Sequence, residues 1–435
     1  MDPHAFDIEN PYVPLANSLK EEFQSLSPPF STECSIYRVP ERLLHIKEKA
    51  YTPKVVSIGP LHHGMEGLKA MEAHKKRYLQ DFIQRTNKSL EFYIQVVKEK
   101  EARLRGCYAE TIQFSSDAFV KIILVDAAFI IEVLLRHNFH ELQDKNDCIF
   151  NKPWMLQDVW PDLRLLENQL PFFILEDLFD PKKITVSSQQ NEIPSIIELS
   201  HNFFKKVIYL EGTKDKFENF RSSKVEHFVD LLRHLHLPLK EQPKGKIKTL
   251  TTPTMTDLQQ AGVRFNVGSS RNLFDIQFSE GILEIPKLIL SDETELLILN
   301  LLAFEQLHYG ENYINDYVII MDCLVNTPKD VDLLVKYEIV ENRLGGDSNE
   351  GSTIINKLGK VAILDNNNFC FASLCEELNK YYRTPWHKWK ANLKQNYFNT
   401  PWASTSVVAG VILLVLTLIQ TVCSIMSTFS DGKKH

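Results

Sequence analysis

Along this chain apolar residues recur mostly at helical spacing and change to strand spacing in one region. Residues 41–49 and 65–100 have helical composition. Between them, residues 51–60 read as an extended segment bounded by prolines and ended by a turn. Residues 117–138 form the strongest helical pattern. Residues 158–179 read as a second helix, interrupted by Pro171, which removes a donor and crowds the preceding turn. Residues 182–194 and 240–253 read as loops. In 273–290 the period changes: Phe274, Ile276 and Phe278 alternate with polar residues, Ser279-Glu280-Gly281 turns the chain, and residues 282–285 continue, which predicts a hairpin. Residues 292–307 return to helix, with Asp292 and Glu295 spaced as a capping box. Residues 345–352 read as a flexible loop and 1–30 as a loose lead-in. The pattern predicts an α+β, predominantly helical globular domain over 31–382 with a small β-hairpin. It allows two subdomains meeting near 182–253.

The last apolar run differs in kind. No charged residue occurs from 403 to 429. A helix from Ser406 to Met426, passing through Val407, Gly410, Leu414 and Leu418, rises about 31 Å, against a hydrocarbon core of about 30 Å. Its twelve Val, Leu and Ile side chains favour insertion. Residues 383–405 carry Trp386, Trp389 and Trp402 interleaved with Lys390 and Lys394, a composition suited to a membrane interface. A short polar tail, 427–435, follows. The N-terminal residues lack a basic region followed by an apolar one, so no secretory signal is read there. The expectation is a single-pass, tail-anchored membrane protein with a cytosolic domain, the plasma membrane and endomembranes both remaining open.

Apolar residues make up 44% and charged residues 24% of the 435, an ordinary globular composition. The net charge of −7 provides no basic field, which argues against nucleic acid as a partner. The lipid bilayer and an unidentified protein are the partners expected. The seven cysteines are odd in number, scattered, and contain no C-x-x-C, so they read as free thiols in a reducing compartment.

Some polar residues fall in apolar surroundings. With Lys121 set at 0° on a helical wheel, Asp117, Glu132 and Arg136 form one solvated stripe with it, while Asp126 falls at about 140° among apolar neighbours. A carboxylate there must be paired, hydrogen-bonded or protonated. Glu167, Asn168 and Gln169 sit between apolar strings and cannot share one helix face. Their expected work is to satisfy backbone carbonyls orphaned by Pro171, with a ligand cleft as the alternative. His62 and His63 are adjacent in a Gly/Pro turn, a spacing unlike the i,i+4 pairs that hold metals on helices. The string Gly346-Asp347-Ser348-Asn349 lacks the strand-to-helix elbow a nucleophilic serine needs. No phosphate-binding, dinucleotide, zinc-protease or nucleophile-elbow motif is present, and neither cofactor nor metal is implied.

Several strings together resemble the plant family known as domain of unknown function 247. They are Ile36-Tyr37-Arg38-Val39-Pro40, Val56-Ser57-Ile58-Gly59-Pro60 with His62-His63-Gly64, and the run from Leu165 through Glu167-Asn168-Gln169 to Phe173. Ala261 to Phe265, Leu283 to Pro286, Asn300 to Glu305, Tyr397-Phe398 and Pro401-Trp402 with the apolar tail also match. The resemblance implies a plant membrane-associated protein without an assigned reaction, some relatives being implicated in self-incompatibility and other recognition events. The leading expectation is a membrane-tethered interaction or signalling protein rather than an enzyme. One alternative is a hydrolase or transferase built on Asp126, His62, His63 and Glu167. The other is an extracellular recognition determinant.

Overall fold

The computed structural model describes residues 12–25, 32–145, 147–184, 193–207, 224–238, 242–248, 251–270, 272–308, 310–384 and 401–431. The helical patterns of the first half become α1 (Val13–Ser25), α2 (Glu41–Lys47), α3 (Lys69–Thr86), α4 (Leu90–Glu99), α5 (Glu101–Gly106), α6 (Ser116–Asn138), α7 (Pro153–Asp162), α8 (Phe172–Leu178) and α9 (Ile196–Val207). There follow α10 (Phe228–His236), α11 (Met255–Gln260), β1 (Arg264–Gly268), β2 (Gln277–Ser279), β3 (Ile282–Pro286) and β4 (Leu288–Leu290). The chain ends with α12 (Asp292–His308), α13 (Tyr313–Leu324), α14 (Pro328–Lys336), β5 (Val340–Asn342), α15 (Ser348–Val361), α16 (Ala372–Arg383) and α17 (Pro401–Asp431). The class is α+β, mostly helical. Two compact units form, one ending at Val207 and completed by residues up to Leu232, the other from Arg233 onward.

The first unit is built around α6, which packs against α3, α4, α8 and α9. Its middle is buried on every side and apolar except for Asp126, the pattern of a helix enclosed by its neighbours. The solvated stripe read on α6 holds only in its first turns. Asp117 and Lys121 are exposed, but Glu132 and Arg136 are buried. The face they share is covered by α3 and the loop after α6, which bring their own charges. Arg85 grips Glu132 through two bonds of 2.9 and 3.1 Å. Arg136 reaches Asp81 at 2.6 Å and Asp147 at 2.5 Å, with its guanidinium 4.0 Å from the centre of the Tyr78 ring. Each buried charge thus has opposite partners, which burial requires.

The helix expected over 158–179 is two helices separated by turns from 163 to 171, with Pro171 capping α8 rather than kinking one helix. Side chains make the break stable, as shown below.

In the second unit the predicted hairpin is β2–β3, closed by Glu280 and Gly281, whose φ values of 50° and 76° are those of a primed two-residue turn. β1 adds in parallel on the other side of β3, and β4 pairs in parallel with β5. The cap of α12 is Ser291, whose Oγ accepts the Thr294 N–H at 3.3 Å, one residue before the box read at Asp292 and Glu295. Asp292 and Glu295 instead place acid in the helix's first turn, where the dipole favours it. Residues 345–352 are not all loop: Gly345 and Gly346 turn with positive φ, Asp347 caps through the Asn349 N–H at 2.8 Å, and α15 starts at Ser348. Within the expected lead-in, α1 is helical and exposed.

In α17 the stretch Val408–Met426 is long and apolar enough to cross a bilayer, and all of it is solvent-facing. Trp386, Trp389, Lys390 and Lys394 lie outside the described residues, while Trp402 lies in the first turn of α17.

Candidate functional site

Residues 54–59 have no regular secondary structure, yet 56–59 are buried. Their peptide groups must therefore find partners. The partners are side chains distant in sequence. The Asp162 carboxylate accepts the N–H groups of Lys54, Val55 and Val56 at 2.9, 2.7 and 2.9 Å. Asn168 accepts the Ile58 N–H at 2.7 Å and donates to the Val56 carbonyl at 3.0 Å. Asp126 Oδ2 accepts the Gly59 N–H at 2.9 Å, and Lys75 Nζ donates to the Ser57 carbonyl at 2.9 Å. Gly59 has φ +73°, and a Cβ there would stand 2.6 Å from the Gln169 carbonyl oxygen. Only glycine fits.

Asp126 is buried, 1% exposed, as its place on the apolar side of the helical wheel requires. Its Oδ1 pairs with Lys75 Nζ at 2.6 Å, and the same ammonium lies 2.5 Å from Glu72. Burial pushes the Asp126 carboxyl up to about 6, against the pull of Lys75. Burial works against the Lys75 ammonium, but Asp126 and Glu72 outweigh it and hold it protonated above the usual lysine value. Ser57 Oγ lies 3.5 Å from this nitrogen. A protonated lysine cannot take the hydroxyl proton, so the pair is not a nucleophile with its base.

Glu167 forms a second tie. It accepts the Val39 N–H at 2.8 Å and the Arg38 guanidinium at 2.9 Å. His62 Nε2 stands 3.1 Å away, an ion-pair distance, although its N–H direction misses the line a hydrogen bond needs. Burial would raise the Glu167 carboxyl, but His62, the Val39 N–H and Arg38 together hold it below the usual range. Gln169 donates to the carbonyls of Leu163 and Leu165 at 2.9 and 2.8 Å, and Asn168 to that of Asp162 at 2.9 Å. These are the carbonyls left where α7 ends. Glu167, Asn168 and Gln169 all point inward, so three separate strings of the chain, 36–40, 56–60 and 165–173, meet in one clasp.

Beside the clasp lies a cavity of about 360 Å³. Asp126, Glu72 and Ser57 form part of its wall, with Leu68, Phe114, Ile122 and Val125 supplying apolar surface. His63, Lys69, Lys76 and Lys121 also line it. His63 packs edge-on against Phe114, centroids 5.8 Å apart, and its Nδ1 is buried without a hydrogen-bond partner. Burial keeps the imidazole below its usual pKa, and Lys75, Lys121 and Lys76 add to that against the opposing pull of Glu72.

The structure therefore separates the four residues grouped by the enzyme reading. Asp126 and His63 share the cavity, while His62 and Glu167 pair with each other and Arg38 and are not among its lining. Sequence reading missed Lys75 and Asp162, which carry much of the clasp. It also missed Cys148, whose Sγ lies 3.1 Å from His74 Nδ1. Burial and the neighbouring Asp147 push that thiol up, away from the thiolate a nucleophile needs. Ser348, in the string that lacks a nucleophile elbow, lies in the first turn of α15 and donates to Asp332 at 2.6 Å. In the second unit Asp330 collects the N–H groups of Thr256, Asn326 and Thr327; its spacing from Thr327, with Pro328 opening α14, is a capping-box signature that sequence reading also missed.

These features define a mainly helical α+β protein of two units, with a polar clasp in the first and an apolar helix of membrane-crossing length at residues 408–426. The chain belongs to the family called domain of unknown function 247, described as a plant protein of unknown function, whose sequence profile matches residues 36–416. It is 29% identical over 447 residues to UPF0481 protein At3g47200 of Arabidopsis thaliana, covering 96% of this chain and 92% of that protein. It is 23% identical over 529 residues to Putative UPF0481 protein At3g02645 of the same plant, covering 98% and 97%. No solved structure matches the chain.

Proposed function

We propose that this protein is a single-pass membrane-tethered recognition protein whose folded units face the cytosol. The observation that carries the tether is Val408–Met426, nineteen residues without a charge and with no part packed against protein. Water is a poor solvent for such a surface and a hydrocarbon core a good one. The seven cysteines stand as free thiols, which supports a reducing compartment. Recognition rather than turnover is supported by how the polar residues are used. Asp126, Glu167, Asn168 and Gln169 are committed to backbone groups and ion pairs within the clasp. A surface for a protein partner is offered by α1 and the residue before it, where Tyr12, Leu15, Leu19 and Phe23 form one exposed apolar row.

The test is alkaline extraction of membranes carrying the full chain or a variant lacking residues 401–431. The full chain should stay with the membrane and the deletion should not. Protease added to sealed vesicles should then digest an N-terminal tag. Release of the full chain refutes the tether, and protection of the tag refutes the orientation.

A further inference from the structure

We propose that the cavity of the first unit binds a small organic anion, an apolar or aromatic body bearing one carboxylate. The volume, about 360 Å³, lies at the small end of the roughly 300–1,000 Å³ usual for small-molecule sites. The wall is apolar where Phe114, Ile122 and Val125 face it, which suits a ring or short hydrocarbon chain.

The charges are arranged unevenly. Asp126 and Glu72 share the buried Lys75 between them, which leaves one negative charge on the three groups. Lys76 and Lys121 line the same space and have no ion pair or hydrogen bond among the described residues. His63 lines the same space through its ring, its Nδ1 being closed off from it. The cavity therefore presents two uncommitted ammonium groups beside apolar surface, against one residual negative charge on the Glu72–Lys75–Asp126 group. A cation would meet the two uncommitted ammonium groups of Lys76 and Lys121 against that single negative charge, and a wholly apolar ligand would use neither of them.

This inference does not depend on the membrane tether. It is tested with the full chain in lipid nanodiscs, using 2-naphthoate and octanoate as probes and calorimetry or ligand-observed NMR as the readout, with empty nanodiscs as the blank. One saturable site is expected. The neutral amide of either probe should bind about tenfold more weakly. Lys76→Gln and Lys121→Gln should each weaken the acids about twofold to fivefold, the range of partly exposed ion pairs, with the thermal midpoint unchanged. Ala118→Trp, which places a large ring on a half-buried lining position, should abolish binding. Absence of saturable binding by the unmodified protein at millimolar acid overturns the proposal. So does equal affinity for acid and amide, or full binding by a folded Ala118→Trp protein. If Ala118→Trp fails to fold, the amide comparison and the two lysine variants decide.

Discussion

Replacing Asp126 with asparagine changes one atom of the clasp and sets two demands against each other. The native carboxylate accepts from both sides: Lys75 Nζ at 2.6 Å and the Gly59 N–H at 2.9 Å. An asparagine has one acceptor and one donor end. If its oxygen faces Gly59, its amide hydrogens face the ammonium. If it is turned over, they face a peptide N–H. Either way one buried donor loses its partner. Breaking a buried ion pair by removing one member costs about 3–5 kcal/mol. Glu72 remains 2.5 Å from Lys75 and keeps the ammonium from being wholly unpaired, so the low end applies, about 3 kcal/mol. For a unit of this size, about 2–4 °C is lost per kcal/mol, giving a midpoint lowered by about 6–12 °C. Thermal unfolding of the full chain, followed by near-ultraviolet circular dichroism, measures it. A midpoint within about 2 °C of the unmodified protein would show that the carboxylate is not the shared acceptor described here. The double variant Asp126→Leu with Lys75→Met removes both charges and should cost less than the two single changes added together.

Gly59→Ala should destabilise the first unit by about 2–4 kcal/mol, because φ is +73° and the new carbon meets the Gln169 carbonyl at 2.6 Å; denaturant midpoints report it, and a change below about 0.5 kcal/mol contradicts the geometry. His201 is buried and its pKa is lowered to about 4, by burial first and then by Lys205. The unfolded chain binds that proton more tightly, so stability is full above pH ~6.5 and falls toward pH ~4 by up to about 3 kcal/mol. His201→Gln should flatten that part of the stability–pH curve, and an unchanged slope refutes the assignment. Leu416→Arg places a charge near the middle of the apolar helix at an insertion cost of about 2.5–3.5 kcal/mol. A larger share of the protein should appear in the aqueous fraction after an alkaline wash, and an unaltered distribution speaks against a spanning helix.

Elements with a sustained period were legible in the sequence: α6, α12, the β2–β3 hairpin and the apolar helix near the end. β1, β4 and β5 were not, because three to five residues offer too few alternations to separate a strand from a loop. The clasp was half legible. Asp126 and residues 167–169 stood out because polar groups interrupt apolar runs. Lys75 did not, since it sits among Lys76 and Arg77 on a helix where charge is expected at the surface. The burial of Glu132 and Arg136 was hidden for a related reason. A wheel places residues on a face but does not say what covers it, and the cover comes from Arg85, Asp81 and Asp147. The cavity had no trace in the pattern, because it is bounded by segments far apart in the chain.

The span of the clasp along the chain sets an order in which the first unit can be made. Residues 54–59 leave the ribosome well before their partners: Ile58 waits for Asn168, 110 positions later. At about 5–20 residues per second, that delay is about 5–20 s. During it Val56 and Ile58 have neither their final burial nor the side chains that satisfy their peptide groups. The nascent chain therefore carries an unsealed apolar segment for many times the lifetime of a local helix, a window in which a chaperone holding the emerging chain would raise the yield of folded protein.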